Sequence, residues 1–103
     1  MEISVLQEKD TVYFVVGGDI DERGADMLTN QFRELTVKAA VTNLILDFKS
    51  VAYIGSSGIG AIILFYKKLA QSGGSISIRN VSKEIYDLLS DLDINKIIRI
   101  YSA

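Results

Sequence analysis

The chain has 103 residues, 49% hydrophobic and 23% charged, a composition that supports one globular domain with its own core and excludes a disordered chain. Eleven basic residues against 13 acidic ones give a formal charge of -2, which argues against a nucleic-acid binder. Cysteine and histidine are both absent, which excludes disulfides, thiolate nucleophiles, iron-sulfur clusters and Ser-His triads and removes most zinc or haem ligation.

The N-terminal residues 1–5 lack the positive stretch and apolar run of a secretory signal. The longest apolar run, residues 59–66, is broken by Gly60 and falls far short of the ~20 residues that span a bilayer. The expectation is a soluble, cytoplasmic protein without a membrane span. Proline is absent, so glycine and polar clusters carry the punctuation. Residues 2–6 alternate weakly and predict an edge strand, followed by a polar turn over residues 7–10. Residues 11–16, Thr-Val-Tyr-Phe-Val-Val, are β-branched and aromatic and predict a strand, ended or bulged by Gly17-Gly18-Asp19.

Asp21 stands where a helix N-cap belongs, and Ala25, Leu28, Phe32 and Leu35 follow at spacings of three and four. They mark one buried stripe of a helix reaching about Val37. The nearly continuous apolar run at residues 43–48 predicts a strand buried on both faces. A second helix is predicted from the Ser56-Ser57 turn to about Gln71, stopped by Gly73-Gly74. Residues 75–79 predict a strand, and Ser82 caps a third helix with Ile85, Leu88, Leu89 and Leu92 on its buried face. Residues 95–101 read as a last short strand or an irregular tail. Strands alternating with helices predict an α/β fold, a mixed sheet with helices packed over it.

The turn that opens the second helix carries most of the functional information. One of Ser56 and Ser57 is expected at the N-cap, its hydroxyl accepting from a free amide of the first turn. That accounts for one serine but not for Gly58 and Gly60, since each glycine within a helix costs up to ~1 kcal/mol relative to alanine. Such a pair points to a close approach by a neighbouring element, a partner protein or a phosphate. At about 100° per residue, Ile59, Ile62, Ile63, Tyr66, Leu69 and Ala70 share the face expected to meet the sheet. Gly60, Ala61, Leu64, Lys67 and Lys68 then lie opposite. An exposed leucine above a bare glycine backbone, close to exposed hydroxyls, fits a protein-docking surface.

Residues 48–60, Phe-Lys-Ser-Val-Ala-Tyr-Ile-Gly-Ser-Ser-Gly-Ile-Gly, resemble the signature of the STAS domain, specifically that of bacterial anti-sigma factor antagonists. In that family an apolar strand ends in aspartate and leads into Asp-Ser-Ser/Thr-Gly-Leu-Gly at the start of a helix. Gly18-Asp19-Ile20-Asp21 is similar to the family's Gly-Glu-Leu-Asp turn, Leu44 to Asp47 to its central strand and Gly73-Gly74 to the pair before its fourth strand. Residues 94–98 resemble its final apolar stretch. The likeness covers nearly the whole chain. It implies a single STAS-like α/β domain over residues 1–103, with four or five strands in a mixed sheet and helices mainly on one side.

The resemblance also implies a partner-switching function. Ser56 would be the residue phosphorylated by an anti-sigma factor that is also a serine kinase of the GHKL type, and a PP2C-type phosphatase would reverse the mark. The unmodified protein would bind the anti-sigma factor through Asp21, Gly55, Ser56, Ser57, Gly58, Ile59, Gly60 and Leu64, and so free the sigma factor for transcription. No enzyme activity, cofactor or metal is expected. The chain departs from the family pattern at Gly55, where aspartate is usual. That departure keeps a second reading open, a STAS adaptor in a transport or sensor assembly that is not phosphorylated. A third reading gathers Asp19, Asp21 and Asp47 around a magnesium ion beside a phosphate-cradling turn. That turn lacks the Lys-Ser/Thr ending of a P-loop.

Overall fold

The structure is a computed structural model and describes residues 1–38 and 41–103. Five strands form one sheet in the order of the chain: β1 (Glu2–Glu8), β2 (Thr11–Gly17), β3 (Asn43–Ser50), β4 (Ser75–Val81) and β5 (Arg99–Ser102). β1 and β2 make an antiparallel hairpin, Glu8 opposite Thr11, with Lys9 in the left-handed conformation at φ 57°. The other three pairings are parallel, and each needs a crossover helix. These are α1 (Glu22–Lys38), α2 (Ser56–Gln71) and α3 (Lys83–Asp91), the last followed by a 3-10 turn at Ile94–Lys96. Crossovers of one hand that step steadily across a sheet leave their helices on the same face. The sheet is therefore mixed, five-stranded and covered by helices on one side, at the upper end of the expected strand count.

Side-chain alternation shows which face is covered. Val12, Phe14 and Val16 of β2 meet Leu44, Leu46 and Phe48 of β3 and Ile76 and Ile78 of β4 in one buried cluster. All three helices contribute to it, through Ala25, Leu28 and Phe32, through Ile62, Phe65 and Leu69, and through Ile85 and Leu89. The expectation that β3 is buried on both faces holds at one position of the open face. Ile45 is 2% exposed there, in register with Tyr13 and Ser77 of the neighbouring strands, with no helix above it. The polar turn predicted from residue 7 is shorter than that, because pairing carries β1 on to Glu8.

Two helix stripes differ from their predicted form. Buried residues of α2 are Gly58, Ala61, Ile62, Phe65 and Leu69; Ile59, Ile63 and Tyr66 are half-buried, and Ala70 is exposed. The burial is rotated because α2 rests on both the sheet and α1. Phe65 stacks on Phe32 with ring centroids 4.3 Å apart and planes 19° apart. Ala61, expected on the outer side, is drawn in by the same rotation. In α3 only Ile85 and Leu89 are buried, while Leu88 is 38% and Leu92 51% exposed. This nine-residue helix packs against β5 and the 3-10 turn at the sheet's edge, where support is too narrow for a wide stripe.

Candidate functional site

Two loops leave the carboxyl ends of adjacent parallel strands, the position where open α/β sheets present their binding surfaces. One runs from β2 into α1, the other from β3 into α2. A parallel bridge between Ile20 and Ile54 joins them. Ile20 N donates to Tyr53 O at 2.8 Å, and Gly55 N donates to Ile20 O at 2.9 Å. Gly18, with φ 102°, turns the first loop so that its N–H reaches Ser50 O at 3.0 Å. Backbone bonds thus hold Asp21 and Gly55 next to the same bridge, whatever their side chains.

Asp21 caps α1 as its position in the sequence predicts, its Oδ1 accepting from Gly24 N at 2.8 Å. The cap of α2 is different. Gly55, at φ -94° and ψ -178°, occupies the N-cap, and no side chain bonds to the first turn. Neither Ser56 nor Ser57 caps, because both lie inside the helix as its first two residues. The first turn closes by Ile59 N donating to Gly55 O at 3.1 Å, so the amides ahead of it face outward without an intrahelical acceptor. Both serines are exposed. The site therefore presents two hydroxyls and a row of free N–H groups at the positive end of a 16-residue helix.

The two glycines of this turn serve different purposes. A Cβ on Gly58 would stand 2.6 Å from Ile20 Cγ2 and 2.8 Å from Ile54 Cγ1. Gly58 is buried and lets α2 settle onto the bridge, so the neighbouring element is the close approach that its missing side chain requires. A Cβ on Gly60 would meet nothing within 4 Å. Its bare backbone lies at the surface, with Leu64 one turn further on at 40% exposure. Ile59 is half-buried between them. The exposed and half-exposed set is Asp21, Gly55, Ser56, Ser57, Ile59, Gly60 and Leu64, with Gly58 beneath it.

Tyr53 also belongs to this site, though its place in the sequence singles it out for no role. It is 53% exposed and lies across Gly55, where an added Cβ would come 2.9 Å from its hydroxyl. The local signal is the aromatic two residues before a glycine, which is too common to single out. Asp47 does not join Asp19 and Asp21. Its Oδ1 accepts from Lys49 N at 3.0 Å and from Asn80 Nδ2 at 3.1 Å, tying down the end of β3. Among the described residues no group of three acidic side chains could hold a metal ion, so the magnesium reading fails on geometry.

The STAS domain family matches residues 2–103. An anti-sigma F factor antagonist from Paenibacillus polymyxa is 26% identical over 101 residues, covering 98% of this chain and 86% of its own. A solved anti-sigma factor antagonist from Mycobacterium paratuberculosis superposes with a TM-score of 0.85 at 19% identity, over 99% of this chain and 86% of that one. The Bacillus cell fate determinant SpoIIAA, solved in its phosphorylated form, superposes with a TM-score of 0.78 at 17% identity, over 96% and 90% of the two chains. Together with the five-stranded sheet, its one-sided helices and the Ser-Ser-Gly turn on the Ile20–Ile54 bridge, this match places the chain in the STAS domain family.

Proposed function

We propose that this chain is an anti-sigma factor antagonist that docks through the first turns of α2 and lets go when Ser56 is phosphorylated. The observation that carries the reading is the Ser56 hydroxyl, exposed at the first position of a helix whose cap has no side chain. The names of the relatives and the phosphorylated state of SpoIIAA support it. The partner is an anti-sigma factor that is itself a serine kinase of the GHKL type, and a PP2C-type phosphatase restores the hydroxyl. Asp21, Gly55, Ser56, Ser57, Ile59, Gly60 and Leu64 form the docking surface, and Gly58 sets its height from below.

A phosphoryl group adds about -1.5 to -2 charges and three acceptor oxygens. At this helix end the free amides and the dipole accommodate an anion, so the fold survives the modification. The partner then meets charge and bulk where it had met a neutral hydroxyl. A penalty of about 2.7 kcal/mol weakens binding about a hundredfold, enough to hand the partner to a competitor. Ser56→Asp is accordingly expected to leave the melting temperature nearly unchanged while reducing affinity for the cognate anti-sigma factor. Equal affinity of Ser56→Asp and wild type would falsify the switch. Intact-mass measurement of the protein co-purified with its partner from the native host, with Ser56→Ala as control, places the mark.

Gly55 favours one alternative, an adaptor that is never phosphorylated. The carboxylate usual before the acceptor serine is missing here, and with it any contact it would make to a kinase. On that reading the co-purified protein carries no phosphoryl group and its partner is a transport or sensor subunit.

A further inference from the structure

We propose that the groove between the C-terminal halves of α1 and α2 binds an anionic amphiphile, one carboxylate or phosphate headgroup on an alkyl chain. The groove encloses about 560 Å³, within the range of small-molecule sites. Phe32 and Leu69, 5% and 3% exposed, contribute to its lining together with Val41, and Leu64 adds an apolar surface 40% open to solvent. Arg33 of α1 and Lys68 of α2 bring one cation from each helix. Among the described residues no carboxylate lines the groove, although acidic residues outnumber basic ones 13 to 11 in the chain. The remaining lining is hydroxyl-bearing, and three of those hydroxyls already donate to carbonyls of their own helices.

That combination selects its occupant by chemistry. Two cations without a local acid call for an anion, and the apolar lining calls for a tail that a free inorganic ion lacks. Neither cation is within ion-pair distance of a carboxylate among the described residues. Lys68 in the last turn of α2 also offsets the negative end of that helix. Arg33 lies more than a turn before the end of α1, so that explanation does not reach it, and the side chain it bonds, Asn30, whose Oδ1 accepts from Arg33 Nη1 at 3.1 Å, is neutral and leaves its charge uncompensated. The site borders the docking surface and shares Leu64 with it, but its cations lie further off, Lys68 standing twelve residues, ~18 Å, along α2 from Ser56.

The test is titration of the isotopically labelled protein with decanoate, decyl phosphate and decanol, followed by amide chemical shifts. Decanoate and decyl phosphate are expected to move the amides of Arg33, Leu64, Lys68 and Ser72 saturably, and decanol to bind about tenfold more weakly. The tighter of the two anions identifies the headgroup. Arg33→Gln combined with Lys68→Gln, both at exposed positions, should weaken the two anions about tenfold and leave decanol unchanged. Leu64→Ser should weaken all three. Absence of saturable shifts, or decanol binding as tightly as decanoate, overturns the proposal. Shifts of the same amides on dilution of the protein alone, in place of alkyl-dependent ones, assign the groove to a second copy of the chain and also overturn it.

Discussion

Gly58 and Gly60 stand two residues apart and answer to opposite constraints, so substituting each with alanine separates fold from function. Gly58→Ala pushes a methyl into Ile20 and Ile54 on the bridge and is expected to destabilise by about 1–3 kcal/mol, read by denaturant unfolding. Gly60→Ala has open space and gains helix propensity, so it should stabilise by up to ~1 kcal/mol while weakening the partner. A Gly60→Ala variant with undiminished partner affinity would remove Gly60 from the docking surface. The sequence signalled the pair through its cost in a helix. It did not separate the two, because each depends on what lies above the backbone. The serines show the same limit. Their place before a helix suggested a cap, yet the cap is Gly55, one residue earlier. Gly55→Asp puts a carboxylate at that N-cap, with the exposed Tyr53 ring able to swing aside. It should stabilise the fold by a few tenths of a kcal/mol, about the difference between aspartate and glycine at that position, and be seen as a small rise in melting temperature.

At the scale of elements, the residue pattern located the three α-helices and the first four strands, because burial imposes a spacing on the chain before any partner is known, but it left β5 open between a strand and a tail and gave no sign of the 3-10 turn before it. It did not fix how far each helix is rotated. The predicted stripe of α2 omitted Phe65, which is fully buried, and included Ala70, which is exposed. A helix resting on the sheet alone buries one arc, whereas α2 also leans on α1 and buries a second. The ring pair of Phe32 and Phe65 marks that second contact. Phe65→Ala should cost about 3–5 kcal/mol, the usual range for emptying an aromatic site in a core, and appear as a lower denaturant midpoint at unchanged slope. A loss below about 1 kcal/mol would mean that α1 collapses into the space, contrary to the close-packed helix pair described here.

The whole molecule divides into a helix-covered face and an open one. The order of elements made the α/β class legible. The chain did not announce that the sheet would follow its own order from β1 to β5, since strand adjacency depends on crossover handedness rather than on composition. Nor did it announce the groove between α1 and α2, whose lining comes from two helices and the segment leading into β3. Stability and recognition are consequently housed apart. The core is shared by sheet and helices, while the hydroxyl proposed for switching stands at one end of a single helix.

The Ile20–Ile54 bridge has a consequence for local dynamics. The amide hydrogens of Ile20 and Gly55 are both engaged in it, whereas those of Ser56, Ser57 and Gly58 have no acceptor in their own helix. In deuterated water the first two should exchange slowly and at matched rates, opening only when both loops part, and the latter three should exchange fastest in α2 apart from its frayed end. A visiting protein would then find immobile footing beneath a turn whose protons are still free to be claimed. Unequal retention of deuterium at residues 20 and 55 would show that the loops open separately.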